Sequence, residues 1–291
     1  ISITDSKSIL ISFSQQRLYF VSSFKFASIA YNIPFEITLS QDVNIRALEK
    51  TLLSIVERHQ SLRTIFRYNE KGKILQKLED QFNIDYRDCD SLNQVKKLMH
   101  LDINKPFDLS QEIPIKIIFY RIDKSYISVL LNIHHIAVDG WSMDIIGREI
   151  LNYYEYYAFN TPLILDKKNI EYKDFSEWFR SYMSGQLLSE RLNFWKKKLS
   201  GYEPFDLPSD YPRQSEFDFK GCNFHFILDK DLSYSLRCLA KKKQVTLYTI
   251  MLTGFYIFLY KYTQQKDIII GSPIEGRGHP DLNNMGWFFC K

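Results

Sequence analysis

The chain has few cysteines, and their spacing excludes both a disulfide framework and a zinc module. Four cysteines occur among 291 residues, at Cys89, Cys222, Cys238 and Cys290, and no two of them form a CxxC pair. A disulfide-stabilised secreted domain or a structural zinc site would need more closely spaced residues. We therefore expect reduced thiols, as in a cytosolic protein.

The chain also lacks an excess of charge of one sign. Lysine and arginine number 38 against 34 aspartate and glutamate residues, and the net charge is +4. The densest basic runs, 196–198 and 241–243, lie in helix-like stretches, where they are interpreted as solvated helix faces. A nucleic-acid-binding protein usually carries a stronger basic excess on one face. We expect no nucleic-acid partner.

Long apolar runs are scarce. The uncharged run 244–260 is nearly long enough to cross a bilayer, but it contains three threonines and Gly254. We interpret it as a buried helix and expect no membrane partner. The N-terminus has no basic segment followed by an apolar core, which predicts a cytoplasmic protein without a secretory signal. The chain starts at Ile1 rather than Met, which suggests either a segment of a longer polypeptide or the numbering of a processed chain.

Hydrophobic residues, in contrast, are plentiful. They make up 45% of the chain, with charged residues at 25%, so the chain can bury a large core and is not disordered. The clearest amphipathic helix is 44–58, where apolar residues recur at helical spacing behind Asn44 as N-cap. Ser142 is predicted to cap another long helix that ends near residue 159.

Helical and strand patterns are mixed along the chain, which predicts the α/β class, with mixed sheets and packed helices. The segment 201–221 contains three prolines and is predicted to be an extended connector. Further helices are predicted at 14–22, 91–101, 170–184, 186–199, 231–243 and 246–263. Strands are predicted at 33–39, 62–68, 74–78, 113–121, 126–134, 223–228 and 267–271.

The predicted strand 126–134 ends at a histidine, His134, and a second histidine, His135, follows it directly. Successive strand side chains point to opposite faces, so His134 and His135 are not expected to act together: one ring faces a cavity and the other faces the core. The same geometry argues against a zinc site that uses both rings. An isolated pair of histidines could simply form core hydrogen bonds, but Asp139 and Gly140, which follow, favour a functional role.

The run His-His-Ile-Ala-Val-Asp-Gly-Trp-Ser at 134–142 resembles the active-site motif of the condensation domains of nonribosomal peptide synthetases. These domains have a chloramphenicol-acetyltransferase-like fold. Several other segments resemble motifs of that family and follow in the family's order. They are Ser-Phe-Ser-Gln-Gln-Arg-Leu at 12–18, Arg-His-Gln-Ser-Leu-Arg-Thr-Ile-Phe at 58–66, Tyr-Lys-Asp-Phe at 172–175, the proline-bearing segment 206–213, and Gly-Ser-Pro at 271–273 with Gly-Arg at 276–277.

The resemblance implies which residues form the active site. His135 would face the tunnel where two carrier-bound substrates meet, and His134 would be its inward structural partner. Asp139 would order the loop through a salt bridge to Arg63. Gly140 would let the backbone pass close to the reacting centre. These four motif residues are the catalytic candidates, with Arg63 as structural support.

Two further residues, Trp141 and Ser142, would support the site from the start of the following helix. The resemblance implies no cofactor bound by the domain itself and no metal, because the substrates arrive on phosphopantetheine arms of donor and acceptor carrier proteins. An adenylation domain would belong to the same polypeptide. An imidazole titrates near neutrality, so His135 could accept a proton from the attacking amine.

The resemblance also implies two pseudo-related lobes that form a V with a tunnel between them. Residues 1–165 would be the N-terminal lobe with the His-His motif, and 166–291 a partial C-terminal lobe. The chain ends inside a family motif, where Cys290 and Lys291 replace the usual Asn-Thr. We expect the second lobe to be incomplete and to expose apolar surface.

Within the family, the intact His-His motif favours simple condensation over heterocyclisation, and Trp141 before Ser142 favours it over epimerisation. The run Gln-Arg-Leu at 16–18 resembles the subtype that accepts an L-configured donor. Two alternatives stay open: a freestanding acyltransferase of the same fold that uses coenzyme A or an alcohol, and an inactive domain that only docks carrier proteins.

Overall fold

The computed structural model describes residues 1–4, 9–123, 125–168, 170–212, 224–272 and 276–282, with the backbone alone at 25–27 and 141. The strands in these ranges are β1 Ile9–Leu10, β2 Asn32–Thr38, β3 Thr64–Tyr68, β4 Ile74–Leu78, β5 Asp85–Cys89, β6 Ile115–Ile122 and β7 Ser125–His134. The α-helices are α1 Phe13–Ser22, α2 Lys25–Ala30, α3 Ile45–Arg58, α4 Leu92–Ile103, α5 Gly140–Phe159, α6 Tyr172–Tyr182, α7 Gly185–Lys198, α8 Lys230–Lys243 and α9 Leu247–Thr263. Short 3₁₀ turns occupy Gln60–Arg63 and Pro280–Leu282.

The strands form two sheets. The larger one has the order β2-β7-β6-β5, in which β5 runs parallel to β6 and the other pairs are antiparallel. The smaller one has the order β1-β4-β3 and is antiparallel. This mixture of parallel and antiparallel pairs, with helices packed on the sheets, is the predicted α/β class.

The large sheet separates two cores, and β7 contributes to both. Leu131 and Ile133 point into a first core that also contains side chains of β6, α3 and α5. Leu130 points into a smaller second core with Val95 and Met99 of α4. Strand side chains alternate between the two faces of a sheet, so one largely buried strand can supply two cores.

Local sequence signals explain how the helices over the first core begin and end. Asn44 caps α3 as predicted, because its side chain accepts a hydrogen bond from the Ala47 amide. Helix α5 ends at Asn160, which adopts the left-handed conformation that asparagine tolerates better than most residues. The two helices pack side by side against the same face of the large sheet.

The chain divides into two compact units, Ile1–Leu188 with Ile274–Lys291, and Ser189–Pro273. This division follows contacts within the chain; the lobe boundary predicted near residue 165 stays a prediction. In the described part of the second unit, Ala240 and Leu259 are the buried side chains. Helix α9 is otherwise largely exposed, so the prediction that it is buried was wrong.

Two strands predicted for the second unit are also absent from its described residues. Residues 224–229 and 267–272 have no regular secondary structure. A strand exists only when a neighbouring strand takes up its hydrogen bonds, and no strand lies in the described part of this unit. The alternating apolar residues of these two segments therefore did not indicate strands. Among the described residues, no helix combines the length and the apolar composition that crossing a membrane requires.

Candidate active site

His134 is the last residue of β7, and its ring is fully buried. Its Nδ1 accepts a hydrogen bond from the Ile136 amide at 3.1 Å, which leaves the proton of the neutral ring on Nε2. That buried Nε2 has no hydrogen-bond partner among the described residues. Burial, with a smaller contribution from His135, lowers the pKa of His134 to about 3. The ring is therefore uncharged near neutral pH and supports the turn after the strand.

His135 follows directly after the strand and is partly exposed. Its amide donates to the Tyr31 carbonyl at 2.8 Å, so the β2–β7 ladder continues one residue past the Asn32–His134 pair. The Tyr31 and His135 rings lie 6.5 Å apart in an edge-on arrangement. His135 is thus the partly exposed residue of the pair, while the prediction that the two rings face opposite sides stays a prediction.

Asp139 is the N-cap of α5. Its Oδ1 accepts hydrogen bonds from the Ser142 amide at 2.9 Å and from the Ser142 hydroxyl at 2.7 Å. The prediction that Ser142 caps this helix was therefore wrong: the cap lies three residues earlier, at Asp139, and Ser142 donates to it. A carboxylate at this position is favoured because the first amides of a helix have no partner inside it.

The guanidinium beside Asp139 belongs to Arg277. Its Nη2 lies 3.6 Å from Asp139 Oδ1 and donates to the Ser142 hydroxyl at 3.2 Å, while Nη1 donates to the Leu282 carbonyl at 2.6 Å. The Arg277 side chain is fully buried. The Gly-Arg segment of the sequence was noted as a family motif, but this role was missed, because 135 residues separate Arg277 from Ser142.

The predicted salt bridge between Arg63 and Asp139 was wrong. Arg63 donates from Nε to the Val56 carbonyl and from Nη2 to the Glu57 carbonyl, both at 3.1 Å, and Nη1 lies 3.4 Å from the exposed Asp80. Both carbonyls lie in the last turn of α3, where carbonyls lack partners within the helix. Arg63 is held there because it follows α3 directly in the 3₁₀ turn, so it supports that helix end.

Gly140, the first residue of α5, is exposed, and a Cβ added to it would meet nothing within 4 Å. Nothing in the described residues requires a glycine there, so its predicted close approach to the reacting centre stays a prediction. The Trp141 side chain lies outside the described residues. Within the described ranges, no group of three His, Cys, Asp or Glu side chains is placed to hold a metal ion.

A second polar cluster joins α3 to α5. Glu149 of α5 is bonded to Arg58 Nε at 2.9 Å and to His59 Nε2 at 2.5 Å. Burial lowers the pKa of His59 to about 4 although Glu149 opposes the shift. Arg58 and His59 thus bind the middle of α5, the helix whose N-cap is Asp139.

Comparisons with known proteins agree with this geometry. The family model described as "Condensation domain" matches residues 5–290. Linear gramicidin synthase subunits D and B of Brevibacillus parabrevis are 32% and 34% identical over 100% and 97% of the chain. Chondramide synthase of Chondromyces crocatus is 32% identical over 97%. The chain spans only 6–7% of the length of these relatives.

Solved structures share the fold. The X-domain from teicoplanin biosynthesis superposes with a TM-score of 0.84 at 18% identity, covering 98% of this chain and 64% of that one. A four-domain nonribosomal peptide synthetase bound to AMP and glycine gives 0.78 at 23% identity, with 98% of this chain and 22% of that one covered. Identities at this level establish the fold alone.

Proposed function

Since this chain belongs to the condensation-domain family, we propose that it forms an amide bond as the condensation domain of a nonribosomal peptide synthetase. The donor is an acyl or peptidyl thioester on one carrier protein, and the acceptor is an aminoacyl group on another. The observation that carries the proposal is the partly exposed ring of His135, at the end of a strand whose following turn is fixed by buried His134 and by the Asp139–Arg277 contact.

The reaction needs little from the protein beyond positioning and one proton transfer. The acceptor nitrogen attacks the thioester carbonyl, a C–N bond forms, and the C–S bond breaks. His135 accepts the proton that the nitrogen loses and returns it to the departing phosphopantetheine thiolate. General base assistance contributes about 10²–10⁴ in rate. Holding both tethered substrates in register contributes through effective concentration.

The other motif residues act through structure. Asp139 and Arg277 are positioning residues: they fix the first turn of α5 and thereby the loop that carries His135. Burial lowers the pKa of His134 to about 3, so its ring stays uncharged near neutral pH. Gly140 makes no described contact that assigns it a separate role, and the role of Trp141 stays a prediction.

The partners follow from the same proposal. Donor and acceptor carrier proteins dock to the domain, an adenylation domain lies in the same cytoplasmic polypeptide, and the phosphopantetheine arms enter as parts of the substrates. No cofactor is held by the domain. Residues 1–165 would form the lobe with the motif and 166–291 part of the second lobe. The 16–18 segment favours an L-configured donor.

The proposal is tested by condensation of an acyl-loaded donor carrier with an aminoacyl-loaded acceptor carrier, followed by mass spectrometry of the acceptor arm. We expect His135→Ala, in the polypeptide that carries this chain, to slow amide formation by about 10²–10⁴. His225→Ala, which alters an exposed histidine of the second unit, is the matched control and is expected to keep wild-type activity.

Full activity of a folded His135→Ala protein would remove that residue from the mechanism. Transfer to a free amine or an alcohol from coenzyme A, with no reaction between carriers, would favour the freestanding acyltransferase. Carrier binding without any transfer, in the wild-type protein, would favour the docking domain. Each alternative therefore predicts a different product.

A further inference from the structure

Three buried polar atoms near the end of β7 have no hydrogen-bond partner among the residues that the structure describes. They are His134 Nε2, Asn32 Oδ1 and Asn132 Oδ1. A buried polar atom without a partner costs free energy, because it has lost its hydrogen bonds to water. Nearly all such atoms in native proteins are bonded to another protein group or to an ordered water molecule. The three atoms therefore require an explanation that the proposed reaction does not supply.

The three side chains lie on one face of the large sheet. Asn132 and His134 are two positions apart on β7, and Asn32 on β2 is the ladder partner of His134, so all three point to the same side. That side is the second core, into which Leu130 also points. Directly opposed residues of an antiparallel pair have Cβ atoms about 4.5–5.5 Å apart, so the Asn32 side chain is a close neighbour of the His134 ring.

The two asparagines meet at the end of helix α4. The Asn32 side-chain nitrogen donates to the Ile103 carbonyl at 2.7 Å and to the Lys105 carbonyl at 3.0 Å. The Asn132 side-chain nitrogen donates to the same Ile103 carbonyl at 3.4 Å and to the Asp102 carbonyl at 3.2 Å. The last carbonyls of a helix have no partner inside it, so these amides satisfy the helix end. Because they share one carbonyl, the two side-chain amides are neighbours.

The bonds already made fix which of the three atoms donates and which accept. Both asparagine nitrogens donate to carbonyls, so each Oδ1 is the acceptor end of its amide. His134 Nδ1 accepts from the Ile136 amide, so Nε2 carries the ring proton and is a donor. One donor and two acceptors thus share this face, and no two of them bond directly to each other.

This set of atoms selects a neutral occupant that both donates and accepts. The imidazole N–H repels a cation, and the two amide oxygens repel an anion. A water molecule accepts from the Nε2 proton of His134 and donates one of its own protons to each of the two Oδ1 atoms. Buried waters in proteins typically have about three polar partners. A bridging water therefore satisfies all three atoms at once.

We propose that these three side chains bind one buried water molecule and that the site positions His135. The water joins the start of β2, the end of β7 and the end of α4. Tyr31, the neighbour of Asn32, accepts the hydrogen bond of the His135 amide at 2.8 Å, and His134 precedes His135 directly. The backbone of His135 is thus held by residues of the site and their neighbours. Asn32 and Asn132 are positioning residues, and this role rests on the proposed function.

The water is tested by a crystal or electron cryo-microscopy structure of the polypeptide that carries this chain, at a resolution that shows ordered water. We expect one water within about 2.7–3.2 Å of His134 Nε2 and of both asparagine oxygens. Asn132→Leu, with a side chain of similar size and no polar atom, should remove it. Asn104→Leu is the matched control, because it alters an exposed asparagine whose side chain also donates to a carbonyl of α4, and it should keep the water.

The positioning role is tested by the kinetics of condensation between loaded carriers. Asn132→Leu should lower kcat about tenfold to a hundredfold and leave KM for both carriers unchanged, because a displaced His135 alters the geometry at the reacting atoms and not carrier docking. Asn104→Leu should keep the wild-type kcat. Asn32→Leu, at a less buried position of the site, gives the same test where Asn132→Leu does not fold.

A pair of small substitutions separates the polar role from packing. Asn132→Ser and Asn132→Ala differ by one oxygen atom, and the serine hydroxyl can bond both the water and a carbonyl. Asn132→Ser should therefore have several times the kcat of Asn132→Ala. A role in packing alone predicts equal losses for the two variants.

The inference is overturned if the wild-type structure shows no water between the three atoms, or if His134 Nε2 donates directly to a protein oxygen. Equal kcat for Asn132→Ser and Asn132→Ala, or a loss in KM alone, would overturn the positioning role. The structural result needs no turnover, so the water site stands or falls independently of amide formation. The His135→Ala experiment in turn decides the proposed function whatever the asparagine variants do.

Discussion

The two compact units differ in how far their apolar side chains are buried. In the first unit, β6 and β7 are apolar and almost completely buried, because α4 covers one face of their sheet while α3 and α5 cover the other. In the second unit, α9 is equally apolar, yet Phe255 and Phe258 are about half exposed, at 48% and 54%. The apolar composition of these strands and of α9 is similar, but the burial of their side chains differs.

The difference shows that burial depends on the partners that an element finds. A helix that is apolar all round needs neighbours on every side, and in the described part of the second unit α9 packs on α8 while most of its apolar side chains stay exposed. A sheet offers two faces to two layers of helices. The apolar side chains of α9 are accordingly among the exposed ones.

The strongest test of this contrast uses matched leucines. Leu130 is 0% exposed in β7, and Leu247 is 40% exposed in α9. We expect Leu130→Ala to lower the free energy of unfolding of the first unit by about 2–5 kcal/mol. Leu247→Ala should change that of the second unit by no more than about 0.5 kcal/mol.

Hydrogen exchange of amides in β7 and α9, read by mass spectrometry over a urea series, reports each unit separately. Equal losses for the two leucines would mean that α9 is covered in solution and that the contrast is false.

Ion pairs allow a second comparison of buried and exposed groups, with smaller expected energies. Asp139 and Arg277 are buried, whereas Arg148 and Asp166 form an exposed pair at 3.9 Å. A double-mutant cycle with alanine at 139 and 277 should give a coupling energy of about 1–3 kcal/mol. The same cycle at 148 and 166 should stay below about 1 kcal/mol.

Unfolding in urea at low and high salt is the measurement. Salt should weaken the exposed pair and leave the buried pair nearly unchanged; a buried pair that responds equally to salt would contradict its burial.

The smallest expected effect depends on pH. Burial lowers the pKa of His134 to about 3, while a histidine in the unfolded chain titrates near 6.5. The unfolded state therefore binds a proton between these values and the folded state does not. The first unit should lose stability as pH falls from 6.5, by about 1–2 kcal/mol at pH 5 from this residue.

The pH effect is checked by urea unfolding at pH 7 and pH 5. His134→Leu should reduce the loss without abolishing it, because burial also lowers the pKa of His59 to about 4. His225→Leu, at an exposed site of the second unit, should leave the loss unchanged. An identical pH response in wild type and His134→Leu would refute the assignment.

Sequence patterns predicted the elements whose signals are local. Helix α3 with its cap at Asn44, and β4 at Ile74–Leu78, were predicted to the residue or nearly so. Strand β5 was missed, because Asp85–Cys89 is mostly polar and reads as a loop. It forms a strand because its backbone pairs with the buried β6, and that tertiary context overrides propensity.

In the candidate site, too, local features could be predicted from the sequence and long-range contacts could not. The two histidines differ in burial, since His134 is fully buried and His135 is partly exposed, and opposite faces for their rings stay a prediction. The partner of Asp139 could not be found this way, because Arg277 approaches from a segment distant in sequence. Arg63 lies in the segment that resembles the family motif, but its guanidinium donates to carbonyls at the end of α3.

The shared use of β7 by two cores has a consequence for how this domain can diverge. A deletion or insertion of one residue between Ser128 and His135 would turn the strand over, since side chains change face with each position. Leu131 and Leu130 would exchange cores, and the ring at 135 would point where His134 now lies. Length variation is therefore tolerable at the Asp123 turn before β7 and intolerable within it, so evolution and engineering alike must change this strand by substitution.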